Sequence, residues 1–247
     1  MASTINADNG VSSGTSGLKS TADASGVLTL QTNGTTALTL DTSQKLTLPS
    51  TTLGTAAAGL TEYNGTSMFF TPAGTQRGII PSQQMYVLAS NLAGLTSTTA
   101  SSFFQVGCTL SSSTQYRFEI MAAVQASNSA TAHTFNFGFG GTATVNSILY
   151  KTSGIDQGGT IPLVDTSTND AIVNTVSQTA ISTSYGNNPI VQAWIMVGVV
   201  SINAGGTFIP QYNLSASGPS YTLFAGSYIT IYPIGAAGAN VNVGTWA

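Results

Sequence analysis

The chain has 247 residues, of which 42% are apolar but only 5% charged, with five basic and eight acidic side chains and a formal net charge of −3. Ordinary soluble proteins carry about a quarter charged residues, so Ser, Thr, Asn and Gly hold this surface instead, a composition that suits chains living in assemblies. The scattered basic residues form no field to collect phosphates, which argues against a nucleic-acid partner, and the longest apolar run, near Ile195 to Val200, is far short of the about 18 to 20 residues of a membrane helix.

Met1 to Asn9 shows neither the basic region nor the apolar core of a secretory signal. Cys108 is the only cysteine, which excludes an intrachain disulfide framework and a cysteine-based zinc site. Both features fit a chain made in a reducing cytoplasm.

Three Leu-Thr-Leu triplets, Leu28 to Leu30, Leu38 to Leu40 and Leu46 to Leu48, alternate with the two-residue period of a half-buried strand. Turn chemistry separates them, an Asn33-Gly34 dipeptide first and then Asp41-Thr42-Ser43. Hairpins with so few apolar side chains are marginal in water. Three copies wound about a common axis would gather Leu28, Leu30, Leu38, Leu40, Leu46 and Leu48 into a narrow core and pair the exposed edges.

Thr51 to Gly59 reads as a connector of Thr, Ala and Gly, followed by a second Asn-Gly turn at Asn64-Gly65, with Pro72 and Pro81 leading into the next region. Beyond Pro81, β-branched and aromatic runs recur at strand length. They are Met85 to Ala89, Phe103 to Leu110, Tyr116 to Gln125, Thr134 to Phe139, Ser147 to Lys151, Ile190 to Ile202, Thr207 to Leu214 and Tyr221 to Tyr232. Frequent turns and the absence of a helical period predict a sandwich or jelly roll. No Asp, Glu, Lys or Arg follows Asp170. Uncharged sheet edges invite pairing, so either neighbouring copies seal them or the tail packs into a larger assembly.

The stretch Ala7-Asp-Asn-Gly-Val-Ser-Ser-Gly-Thr-Ser-Gly-Leu-Lys-Ser-Thr-Ala-Asp23, running into Gly26 to Asp41, resembles the N-terminal segment of many tailed-phage fibre and virion surface proteins. It covers roughly the first fifth of the chain. Gly59-Leu-Thr-Glu-Tyr-Asn-Gly-Thr66 and Thr75 to Pro81 are similar to the linker before the distal knob in such proteins. Gly206-Thr-Phe-Ile-Pro-Gln-Tyr212 and Ala225-Gly-Ser-Tyr228 resemble late strands of phage knob domains. The resemblance implies a trimer displayed outward from a particle, with a β-sandwich knob, often of the jelly-roll kind. The chain departs from the fibre pattern in having no long repetitive shaft, which suits capsid decoration as well as a tail fibre.

Sites for chemistry are sparse. Gly10-Val-Ser-Ser-Gly14 fits a nucleophile elbow in letters but lacks the flanking strand and helix. His133, the sole histidine, occupies one position of a strand and reads as structural or surface. A glycan hydrolase would need carboxylates about 5 to 10 Å apart; Glu119 reads more plainly as a strand-level partner of Arg117, and Asp165 and Asp170 as turn-capping residues of a polar loop. That loop is dense enough in oxygen to consider calcium, though it lacks the spacing of a known binding loop. Cys108 and Trp194 read as packing residues, and Trp246 as a residue that seals an interface near the C-terminus.

The expectation is an all-β chain: residues 1–58 an N-terminal anchor of short strands intertwined in a trimer, 59–82 a linker, 83–247 a jelly-roll-like β-sandwich knob. The expected role is non-enzymatic, without cofactor or metal. It is that of a homotrimeric capsid decoration or cement protein on the virion surface, partnered by the major capsid protein. The alternative is a tail fibre, attached to tail proteins, that sets knob-loop aromatics near Tyr185 or Tyr221 against a host glycan or receptor; a third reading is a glycan-hydrolysing spike acting through Glu119 or Asp165.

Overall fold

The computed structural model describes residues 27–32, 35–158, 168–182, 184, 190–238, 240–244 and 246. These residues are all-β, with no helix among them, as β-branched and aromatic residues in short alternating runs dictate. The chain divides into two compact units, residues 1–51 and 52–247.

In the first unit, β1 (Leu28–Thr32), β2 (Thr35–Leu40) and β3 (Leu46–Thr47) form an antiparallel sheet in that order. Between β2 and β3, Asp41 Oδ1 accepts the amide N–H groups of Ser43 and Lys45 at 2.8 and 2.9 Å, the side-chain-to-backbone bonding that makes Asp a turn former. The Asn33-Gly34 turn lies outside the described residues.

The second unit opens with an antiparallel sheet of β4 (Thr61–Tyr63), β5 (Met68–Phe70) and β6 (Gly78–Ile80). Asn64 Oδ1 accepts from the Thr66 and Ser67 amides at 3.0 and 2.9 Å, and Gly65 takes φ 90°, open to glycine without steric cost. Glu62 ties the preceding chain to this sheet. It accepts the Gly54 amide N–H and pairs with Arg77 at 2.7 Å, while Arg77 donates to the Gly54 carbonyl.

The remaining strands are β7 (Gln84–Val87), β8 (Leu92–Leu95), β9 (Ser101–Ser102), β10 (Cys108–Leu110), β11 (Thr114–Ala126), β12 (Phe135–Gly140) and β13 (Thr144–Gly158). After them come β14 (Thr168–Val173), β15 (Thr179–Ala180), β16 (Ile190–Ala204), β17 (Gly206–Leu214), β18 (Tyr221–Leu223) and β19 (Tyr228–Ala236). One sheet runs β7-β19-β11-β16-β13-β14, with β18 and β8 continuing the far end of β11; the other runs β10-β17-β12-β15, with β9 also on β17. Counting β7, β10, β11, β12, β15, β16, β17 and β19 as first to eighth, the orders are 1-8-3-6 and 2-7-4-5. That is the strand order of a jelly roll. The β13–β14 hairpin is an insertion between the fourth and fifth strands, and it widens the first sheet beyond β16.

The sheets meet through aromatic rings. Phe118 of β11 lies 5.1 Å from Phe139 of β12, and Phe135 of β12 stacks on Trp194 of β16 at 5.1 Å. β11 alternates buried and outward residues along its length, as a strand buried on one face must. Gly198, paired to Phe118 and Tyr150 on either side, leaves no room for a methyl group, since a Cβ would stand 2.4 Å from Tyr150 Cβ and 2.5 Å from the Leu149 carbonyl oxygen.

Two strand expectations change in detail. Of Phe103 to Leu110 only Cys108–Leu110 is a strand, because Phe103 and Phe104 turn inward together at a bend and are fully buried. Tyr221 to Tyr232 is two strands, broken where Gly226 takes φ 88°.

Candidate functional site

The leucines of the first unit are the candidate site. The register sets Leu28 opposite Leu40 and Leu40 opposite Leu46, with Leu30 opposite Leu38 in the next row. Because side chains two apart share a face, these five leucines lie on one side of the sheet, and Thr29, Thr39 and Thr47 form a row on the other. A shift of register between Leu30 and Gln31 leaves Ala37 as an extra residue that bends β2 without breaking the leucine rows. Leu48 follows β3 directly, half-buried.

Among the described residues of the first unit nothing covers this face. Leu28, Leu30 and Leu46 are exposed, Leu46 by 60%, and Leu38 and Leu40 are half-buried. Leaving a leucine in water forgoes about 1.5–3 kcal/mol of burial, so the alternation that makes the sheet also leaves it an apolar surface in need of a lid.

The other sequence-marked residues scatter. Trp246 is 79% exposed, its indole N–H donating to the Val243 carbonyl at 2.9 Å. Trp194 is fully buried in the core, and Cys108 is half-buried, its thiol pushed up by burial. His133 is buried, not superficial: Nδ1 meets the Thr131 carbonyl at 3.0 Å, and Nε2 meets the Tyr221 hydroxyl at 2.8 Å. The carbonyl can only accept, so Nδ1 carries the proton and, in the neutral ring, Nε2 accepts from Tyr221.

Three expectations are corrected. Glu119 does not pair with Arg117; its carboxylate accepts the Tyr228 hydroxyl at 2.7 Å from the neighbouring strand, which holds that phenol above its ordinary value. Asp170 caps no turn, since it lies in β14 opposite Ser153, accepts the Ser153 hydroxyl at 2.7 Å and pairs with Lys151 at 3.3 Å. The serine hydroxyl first, then the lysine, draws its carboxyl below the ordinary value. Tyr221 cannot meet a glycan, because it is fully buried in β18. Asp165, Tyr185 and Gly10 to Gly14 lie outside the described residues. Among the described residues no group of His, Cys, Asp and Glu is arranged to hold a metal ion.

Clefts of about 340, 400 and 200 Å³ carry no acid or histidine in their walls. The largest opens at one edge of the sandwich against Tyr86, Cys108, Pro210 and Ile231. The first contains Arg77, whose guanidinium Glu62 already engages.

Tyr150 gives the jelly roll a pH dependence. Its hydroxyl is buried with no hydrogen-bond partner among the described residues, and burial pushes its pKa up to about 12 from 10.0. The folded state therefore holds the neutral phenol more firmly than the unfolded chain does. That stability is fully present below pH 10 and is lost as pH rises toward about 12. Tyr150→Phe is expected to flatten the alkaline limb of a stability-against-pH curve; an unchanged limb would refute the assignment.

No protein-family model, curated protein or solved structure matches the chain.

Proposed function

We propose that the chain is a non-enzymatic structural protein of a tailed-phage virion. It is a homotrimeric capsid decoration protein, attached through its N-terminal region, with the jelly-roll knob displayed outward. The observation that carries this reading is the leucine face: five leucines in register on one side of a small sheet that no other described residue of the first unit covers. Three such faces turned to a common axis cover one another. Trimerisation also multiplies a weak attachment, because three anchors bound to one shell act at high effective concentration, and contacts made only with the assembled shell stabilise it by mass action.

A second reading, a tail fibre that binds a host glycan, draws on the outer face of the β10-β17-β12-β15 sheet. Asn136, Gln211 and Asn213 point outward there, and the Gln211 and Gln178 amides lie across Gly140 and Gly138. Uncharged amides suit neutral sugar hydroxyls.

Copy number decides between them. In purified particles of a phage that encodes the chain, decoration requires this protein in amounts near those of the major capsid protein. A few trimers per particle would favour the tail fibre, and absence from particles would overturn both.

A further inference from the structure

The outer face of the β7-β19-β11-β16-β13-β14 sheet has the chemistry of an interface. Register lays its outward residues in rows that cross all six strands. One row reads Ile172, Lys151, Val197, Glu119, Thr230, Met85, and the next Asp170, Ser153, Ile195, Met121, Tyr228, Val87. A third row holds Leu149, Val199, Arg117 and Tyr232. Exposure of Ile172 is 77%, of Met85 60% and of Ile195 53%, and Leu149, Met121 and Val87 are exposed as well. From strand spacing and rise the three rows cover about 600 Å², which threefold packing divides between two neighbours at about 300 Å² each, less than half of the roughly 800 Å² that each partner buries in an interface that holds by itself, so this contact adds to chains already joined through their leucine rows.

The charges on this face identify the occupant. All four charged side chains described in the jelly roll, Arg117, Glu119, Lys151 and Asp170, lie on it. Each half of the face carries one base and one acid: Lys151 and Asp170 on β13 and β14, Arg117 and Glu119 on β11. Among the described residues Arg117 has no carboxylate within ion-pair distance. A basic, acidic or nucleic-acid partner would leave one sign unmatched, whereas a second copy presents both signs in equal number. Closed threefold packing requires two different patches on each subunit, and the two halves supply them.

We propose that a second copy of this chain packs on this face. The axis runs along the strands, near the β16–β11 seam, so that the β13–β14 half of one knob meets the β19–β7 half of the next. The proposal rests on the trimeric reading above and adds where the knobs touch. In that arrangement Ile172 and Met85, which share a row but stand five strand spacings or about 24 Å apart within one chain, come together between copies.

The test uses the full chain. Leu149→Glu with Ile195→Glu should raise the protein concentration at which trimers dissociate in sedimentation at least about 100-fold, with the folded state verified by the emission of buried Trp194. Separately, Ile172→Cys with Met85→Cys in a Cys108→Ser background should oxidise to chains linked in threes, because no disulfide spans such a distance within one chain. Unchanged dissociation and no cross-linking, in a protein that still sediments as a trimer, would overturn this interface and leave the trimeric reading standing. A wild-type chain that sediments singly would overturn both.

Discussion

Phe135→Ala is expected to cost the jelly roll about 3–5 kcal/mol. Phe135 is fully buried on β12, stacked on Trp194 at 5.1 Å and on Tyr212 at 5.6 Å, and edge-on to Phe103 and Tyr221 at 5.7 and 5.1 Å. Its ring joins both sheets, so the cavity left by alanine has walls on every side, none of which can collapse without drawing its own strand inward. Ring pairs add to the transfer cost at about 0.5–1.5 kcal/mol each. Against a typical domain stability of about 5–15 kcal/mol the loss is a large share. Chemical denaturation followed by Trp194 emission measures it, and a shift under about 1 kcal/mol would mean that the core is not organised around this ring.

The second large effect is on assembly. Leu30→Glu with Leu38→Glu places two carboxylates directly opposite each other in the middle of the leucine face. Each copy then loses the burial of two leucines and sets like charges side by side, which is unfavourable across a strand pair even in water. With about 1.5–3 kcal/mol per leucine, the association of three chains should weaken by at least about 4 kcal/mol, roughly a thousandfold in dissociation constant. Far-UV circular dichroism should show the second unit intact, because none of its strands includes these positions. Sedimentation equilibrium across a concentration series reads the change. Trimers as tight as those of the unaltered chain would show that the leucine face lies open in the assembly, and the decoration reading would lose its chief support.

The jelly-roll register explains why His133, which the sequence left as structural or surface, is structural, and why Tyr221, expected near a glycan, is buried against it. β18 pairs with β11 from Val124 to Ala126, which carries Tyr221 beneath the sheet and against the entry to β12. A buried phenol and a buried imidazole each need a partner, and each supplies the other's. Local pattern could not reveal this, since the two residues lie 88 positions apart.

What the sequence alone determined was everything that depends on neighbours in the chain. Alternation set strand character and decided which leucines share a face; Asp41 and Asn64 placed their turns through bonds two to four residues long; the rarity of charge left the surface to uncharged polar and apolar side chains. Only the tertiary structure decided which strands became neighbours. It exchanged the expected Arg117–Glu119 pair for Glu119–Tyr228, moved Asp170 from a loop into a ladder beside Lys151, and gathered the four described charges of the jelly roll onto one apolar face. The physical reason is that a strand records in its own residues which side is buried, whereas the partner across the ladder is chosen by the packing of two whole sheets.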